Sequence, residues 1–331
     1  MRQNLFTIAP HANFLQTLAD RVLDGTLLPD WPRQGPFWLA DITVVLPTRR
    51  SRLALADAFA KRGAGLLPDI RTFGGEAGDE EPFLPPIDAP TLPPPVSRLE
   101  RRLVLARLIA AWAKTPDGLV GFASPPNAAE TLALADSLGQ LLDDLATEGG
   151  DIARLNVLTQ ERDLAANWQE TLKFLDIVLK AWPLILSERG KADASLLRNE
   201  RLARQAEAAP LIFGDRPVIA AGSTGSIPAT ANLLLALSRL PRGVIVLPGL
   251  DTGITPADQA ALLDERQAPH GHPQYGLAKL LHRLRATPSQ VTELAVAPGA
   301  RTQMVRRALA LPDATSRWVE DRAGHADDLA A

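Results

Sequence analysis

Three turns in this chain carry residue types suited to phosphate or DNA. The first is Ala9-Pro10-His11-Ala12-Asn13, set between the apolar run Leu5-Phe6-Thr7-Ile8 and a helical pattern that begins at Phe14. A strand–turn–helix opening an α/β chain is where a phosphate loop sits. Such a loop needs glycines for close backbone approach and a Lys-Ser/Thr pair for phosphate and magnesium. This turn has neither Gly nor Lys, and Pro10 removes a backbone donor. It reads as a degenerate phosphate-loop position.

The second turn is Thr48-Arg49-Arg50-Ser51-Arg52, which follows an apolar strand and opens a helix. Helix N-termini attract phosphates, and arginines add charge. The same residues suit a solvated first turn, and both readings stand. The third turn is Gly222-Ser223-Thr224-Gly225-Ser226. It suits an anion nest ahead of a helix, and equally a tight turn with Ser226 as the helix cap. An ATPase would end the preceding strand in a magnesium carboxylate, but Ala220 and Ala221 stand there.

His270 and His272 have no nearby third ligand, so a hydrogen-bonded loop is favoured over a metal. No G-x-S-x-G, paired-carboxylate or H-E-x-x-H pattern occurs, so no catalytic residue and no metal ligand is assigned.

These turns need elements to hold them. Apolar runs predict strands at 5–8, 41–46, 70–73, 217–221, 244–247 and 290–296. Helical spacing predicts helices over 14–23, with Asn13 as N-cap, and over 49–62 after Thr48. Between the two α/β stretches the pattern turns helical, over 97–112, 128–147, 159–187 and 192–209, with Pro183 expected to kink or end the third. Further helices are expected over 232–240, after Thr255 and over 277–284.

Residues 74–95 are dense in proline and acid and read as a boundary or exposed crossing. The expected organisation is a first α/β segment at 1–95, a helical insert at 96–210, a second α/β segment at 211–300 and a loose tail at 301–331. The pairing of strand, turn, helix and strand across 217–251 is the unit of a parallel sheet.

Composition limits the chemistry. With 331 residues and 46% hydrophobic content, the chain can bury two or three cores. Lys and Arg number 35 against 38 Asp and Glu, so no global basic field drives nucleic-acid binding. The absence of cysteine excludes disulfides, thiolate nucleophiles and cysteine-bound clusters in these residues. No run is long and apolar enough to suggest a membrane span, and the expectation is a cytoplasmic protein.

Several of these runs together resemble the N-terminal part of the AddB family, alphaproteobacterial type. They are Thr7-Ile8-Ala9-Pro10, Val45-Leu46-Pro47-Thr48-Arg49-Arg50, Ala220 to Thr230, Leu247-Pro248-Gly249-Leu250-Asp251 and His272-Pro273-Gln274-Tyr275-Gly276-Leu277. The Gly222 to Thr230 and His272 to Leu277 runs are the specific ones.

The resemblance implies a RecA-like, superfamily 1 helicase-like α/β domain with a parallel sheet split by an all-α insert. It implies a degenerate motor in the AddAB complex, which processes double-strand DNA ends for repair and recombination. The implied partners are an AddA-type helicase–nuclease subunit, DNA ends and single-stranded DNA. A DNA-backbone role carries onto Thr48, Arg49 and Arg50.

Family members are longer and carry a nuclease with an iron–sulfur cluster in a C-terminal region not seen here. The chain therefore reads as a truncated piece with no cofactor and no nuclease activity of its own. Two alternatives remain at this point. One is a nucleotide-dependent enzyme that uses the Gly222 to Ser226 turn. The other is a pure protein-interaction module.

Overall fold

The computed structural model describes residues 4–73, 91–115, 126–150, 166–264, 266, 270–294 and 300–311. Contacts divide the chain into two compact units. One is Met1–Pro85, Ala203–Ser226 and Thr230–Ala331; the other is Pro86–Leu202 with Ile227–Ala229.

The first unit is α/β. Its strands are β1 (Leu5–Ile8), β2 (Thr43–Leu46), β3 (Asp69–Thr72), β4 (Val218–Ala221), β5 (Gly243–Pro248) and β6 (Thr292–Glu293). They form one six-stranded sheet in the order β3-β2-β4-β5-β1-β6. Every pairing is parallel. A RecA-like α/β sheet has this arrangement, with the first strand inside the sheet and later strands on both sides of it. Both faces of a parallel sheet are covered, so its strands read as continuous apolar runs rather than alternating ones. Val218–Ala221 is buried at every position, and only Pro248 of β5 is not.

Helices α1 (Phe14–Leu23) and α2 (Arg49–Ala60) follow β1 and β2 directly. Asn13 caps α1 by accepting from the Gln16 amide at 3.3 Å. Their apolar faces meet the sheet in one core that includes Leu18, Val22, Leu55, Phe59, Ile219 and Val246. Arg62 ties the two helices together, donating to Asp20 Oδ2 at 2.9 Å and to the Gln16 carbonyl at 3.1 Å.

The second unit is helical. It contains α3 (Arg98–Trp112), α4 (Ala128–Glu148), α5 (Ala166–Glu188) and the start of α6 (Ala194–Phe213). Val104, Leu105, Ile109, Leu138, Val178 and Trp182 belong to its core. Asp193 is buried within it: Oδ2 accepts from Trp182 Nε1 at 2.8 Å and faces Arg101 Nη2 at 3.1 Å. Arg101 also reaches Asp143 at 2.8 Å and the Gly139 carbonyl at 3.1 Å. These bonds offset part of the cost of burying the charges, although Arg101 Nε and Asp193 Oδ1 are buried without a hydrogen-bond partner.

Pro183 does not end α5 early; the helix runs on to Glu188 with the proline inside it. Pro183 is exposed, whereas Val178, Trp182 and Leu186 are buried. Packing of that face outweighs the one lost backbone bond. The tail expected to be loose from 301 starts with α10 (Ala300–Ala308), and Arg306 Nε lies 3.3 Å from Asp251 Oδ1. An arginine on a helical face found a strand-end carboxylate about fifty residues away, a pairing that local pattern does not reveal. Residues 312–331, and 159–165 of the expected third helix, lie outside the described residues, as does 74–90 of the proline-rich break.

The remaining helices belong to the α/β unit, except at the start of the first. They are α7 (Pro228–Ser238), α8 (Pro256–Leu263) and α9 (Tyr275–Leu284). Among the described residues, no helix is long and apolar enough to cross a membrane.

Candidate functional site

All strands run the same way, so the turns after β1, β2, β4 and β5 emerge on one edge of the sheet, its carboxyl edge. Ligands of open α/β sheets bind there. The three turns singled out in the sequence lie on this edge.

The β1–α1 turn is closed on itself and packed. Ala12 N–H donates to the Ala9 carbonyl at 3.0 Å. Ala9 is 1% exposed, and Pro10 and His11 are exposed. Pro10 faces Gly249 after β5: a β-carbon on Gly249 would stand 3.7 Å from Pro10 Cβ. The Asn13 carboxamide is used as the cap of α1. The backbone that would wrap a phosphate is thus committed to a proline turn, a helix cap and a contact with the β5 loop.

The β4 turn is built from packing contacts. Gly222 has φ +79°, and a β-carbon there would meet Phe14 Cε1 at 3.3 Å and Pro47 Cδ at 3.5 Å. Gly225 has φ +60°, and its missing side chain is the room taken by Leu280 of α9, 2.9 Å from where a β-carbon would be. Glycine is required at both places, for backbone angle and for space.

Two amides that an anion nest would use are already bonded: Gly222 N–H to the Val246 carbonyl at 3.0 Å, and Gly225 N–H to Ser223 Oγ at 3.2 Å. Thr224 and Ser226 lie against Gly276, with their β-carbons 3.7 and 3.6 Å from where a side chain would begin. Helix α7 begins at Pro228, two residues beyond Ser226, so Ser226 is not placed as its cap. Proline suits that first position, where the missing N–H costs nothing.

The β2–α2 turn differs. Thr48 is the N-cap, with Ser51 N–H donating to Thr48 Oγ1 at 3.1 Å and Ser51 Oγ donating to the Thr48 carbonyl at 2.7 Å. Its hydroxyl is therefore engaged in holding the helix start. Arg49 and Arg50 are exposed in the first turn, which contains no acidic residue. A helix N-terminus and two guanidinium groups thus stand together on the carboxyl edge.

The β5 loop is held by residues that the sequence reading did not single out. Gln274 grips it from both sides, with Nε2 donating to the Gly249 carbonyl at 2.9 Å and Oε1 accepting from Asp251 N–H at 3.1 Å. Thr7 is fully buried; its hydroxyl donates to the Leu247 carbonyl and accepts from Leu250 N–H, each at 3.1 Å. The available signal was their place in the quoted runs, Gln274 in His272 to Leu277 and Thr7 in Thr7 to Pro10.

Asp251, the carboxylate closest in sequence to a possible magnesium role, accepts from Gly253 N–H at 2.9 Å and pairs with Arg306. The two lysines nearest these elements in sequence have contacts of their own. Lys61 pairs with Asp57 at 2.7 Å, and Lys279 lies 5.2 Å over the Tyr275 ring. His272 is tied at both nitrogens: Nδ1 accepts from Gln274 N–H at 3.1 Å, which leaves Nε2 to donate to the Leu309 carbonyl at 2.7 Å. It serves as a strut between the loop and the end of α10.

In comparisons with known proteins, no family model matches this chain, and no curated protein matches it.

Proposed function

We propose that this chain is a non-hydrolysing RecA-like scaffold of a DNA-end-processing assembly, the N-terminal part of an AddB-type subunit in double-strand break repair and recombination. One observation carries the reading: on a RecA-like sheet, the place of the phosphate loop is filled by the protein itself. Pro10 lies on Gly249, and Phe14 lies on Gly222. A nucleotide would have to displace both.

An AddA-type helicase–nuclease partner would then supply the motor. The exposed Arg49 and Arg50 at the start of α2 suit the backbone of a single DNA strand leaving it. The reading assigns no cofactor to these residues and places the protein in the cytoplasm, where DNA ends are processed.

The test is anisotropy of a labelled oligothymidylate with the full chain and with the Arg49→Glu/Arg50→Glu variant at low salt. Loss of binding with unchanged thermal unfolding supports the DNA role. Equal binding by the two proteins overturns it.

A further inference from the structure

The amino-terminal edge of the sheet, opposite the turns described above, carries a cavity of about 720 Å³. This is within the size range of ligand pockets, roughly 300–1,000 Å³. Its floor is aliphatic, with Leu27, Leu28, Leu240 and Leu284 among the lining residues. Its remaining charged groups are Arg239, Arg242, Arg283 and Arg285 against the single acid Asp30. The whole chain carries a net charge of −3, so this excess of cations is a local inversion.

Arg285 adds an independent observation. It caps the C-terminus of α9 at φ 54°, ψ 41°. Among the described residues it is the one non-glycine residue with positive φ. Glycine takes that conformation without strain, whereas an L side chain does not. An arginine at this cap keeps an exposed guanidinium beside the cavity in spite of the strain.

The lining argues against nucleic acid as the occupant. Single strands are held on open aromatic faces. Trp31 is the one aromatic residue of the lining, and Arg242 lies 5.1 Å over its ring. Its Nε1 donates to the Trp38 carbonyl at 3.1 Å. Arg242 donates to the Asp215 carbonyl at 2.6 Å and Arg283 to Asn232 Oδ1 at 3.3 Å; what remains is a leucine floor for an apolar side chain, with the guanidinium groups of Arg239 and Arg285 for neighbouring carboxylates.

We propose that this cavity binds an acidic linear peptide of a partner protein, seating one leucine or phenylalanine side chain on the leucine floor and flanking carboxylates on the arginines. The proposal is independent of any DNA role at Arg49 and Arg50, because the two sites lie on opposite edges of the sheet.

The probe is a fluorescein-labelled peptide of four aspartates followed by leucine and phenylalanine, titrated with the full chain and read by anisotropy. Saturable binding that weakens with salt is expected. Arg239→Glu/Arg285→Glu weakens it by about tenfold or more, since both cations become repulsive. Arg285→Gly relieves the left-handed strain, so it should bind the peptide more weakly while melting no lower than the parent. Reduced binding alongside retained stability separates a ligand role from a folding role. Absence of saturable binding to the parent chain overturns the proposal. So does binding by both variants as tight as that of the parent, or an oligothymidylate competing for the same arginines more strongly than the peptide.

Discussion

The ring of Phe14 lies against Gly222: a β-carbon at 222 would stand 3.3 Å from Phe14 Cε1. Phe14 is the first residue of α1, and Gly222 is the first residue after β4. The relationship therefore joins the start of the helix that would follow a phosphate loop to the strand end that would hold a magnesium carboxylate. An aromatic ring and a glycine meet between two places where a motor keeps its nucleotide chemistry.

Gly222→Ala tests that contact. Alanine at φ +79° is strained, and its methyl crowds the ring. The expected loss is about 1–2 kcal/mol, read as a lower midpoint of thermal unfolding. Shortening the ring with Phe14→Leu should recover the crowding but not the backbone part. A Gly222→Ala protein as stable as the parent would mean that the turn is not held in this conformation.

Gln274→Glu tests the grip on the β5 loop. The new side chain can still accept from Asp251 N–H, but it sets a carboxylate oxygen against the Gly249 carbonyl in place of a donor. At neutral pH the expected cost is about 1–3 kcal/mol. A protonated carboxyl can donate again, so folding favours the neutral form and raises the pKa of the introduced group. The penalty should thus be absent in acid and appear as pH rises. Gln274→Leu, which has no titrating group, should show a penalty that does not change with pH. The same pH-independent loss in both variants would contradict the clamp.

The link between α1 and α2 should weaken in acid. Hydrogen bonds from Arg62 hold the Asp20 carboxyl below its ordinary value of 3.8, against an opposing effect of burial. A depressed folded pKa contributes stability above the unfolded value and loses it as pH falls through the folded one. Asp20 is 54% exposed, so screening holds the contribution to about 1 kcal/mol or less. Asp20→Asn should be slightly less stable than the parent at neutral pH, and the difference should close below 3.8. A gap that persists unchanged into strong acid would contradict it.

The sheet was legible because parallel strands are covered on both faces and so appear as unbroken apolar runs; Val218 to Ala221 and Val244 to Leu247 are such runs. The cap at Asn13 and the capping turn at Thr48 were legible because both act within three residues. What the sequence hid depends on separation. Gln274 reaches back 25 residues to Gly249, and Thr7 bonds Leu247 across 240 positions. Phe14 was legible as the start of a helical pattern, but nothing local pairs it with Gly222. Pro183 misled because local propensity speaks only of the lost bond, whereas the burial of Trp182 and Leu186 decides the helix.

The central claim is that the carboxyl edge of this RecA-like sheet is closed to nucleotide. Calorimetry of the full chain with magnesium and ATP addresses it most directly. The account predicts no saturable heat while the protein melts cooperatively. Micromolar binding of ATP that is lost in Gly222 or Asp251 variants would contradict it and make this edge a working nucleotide site.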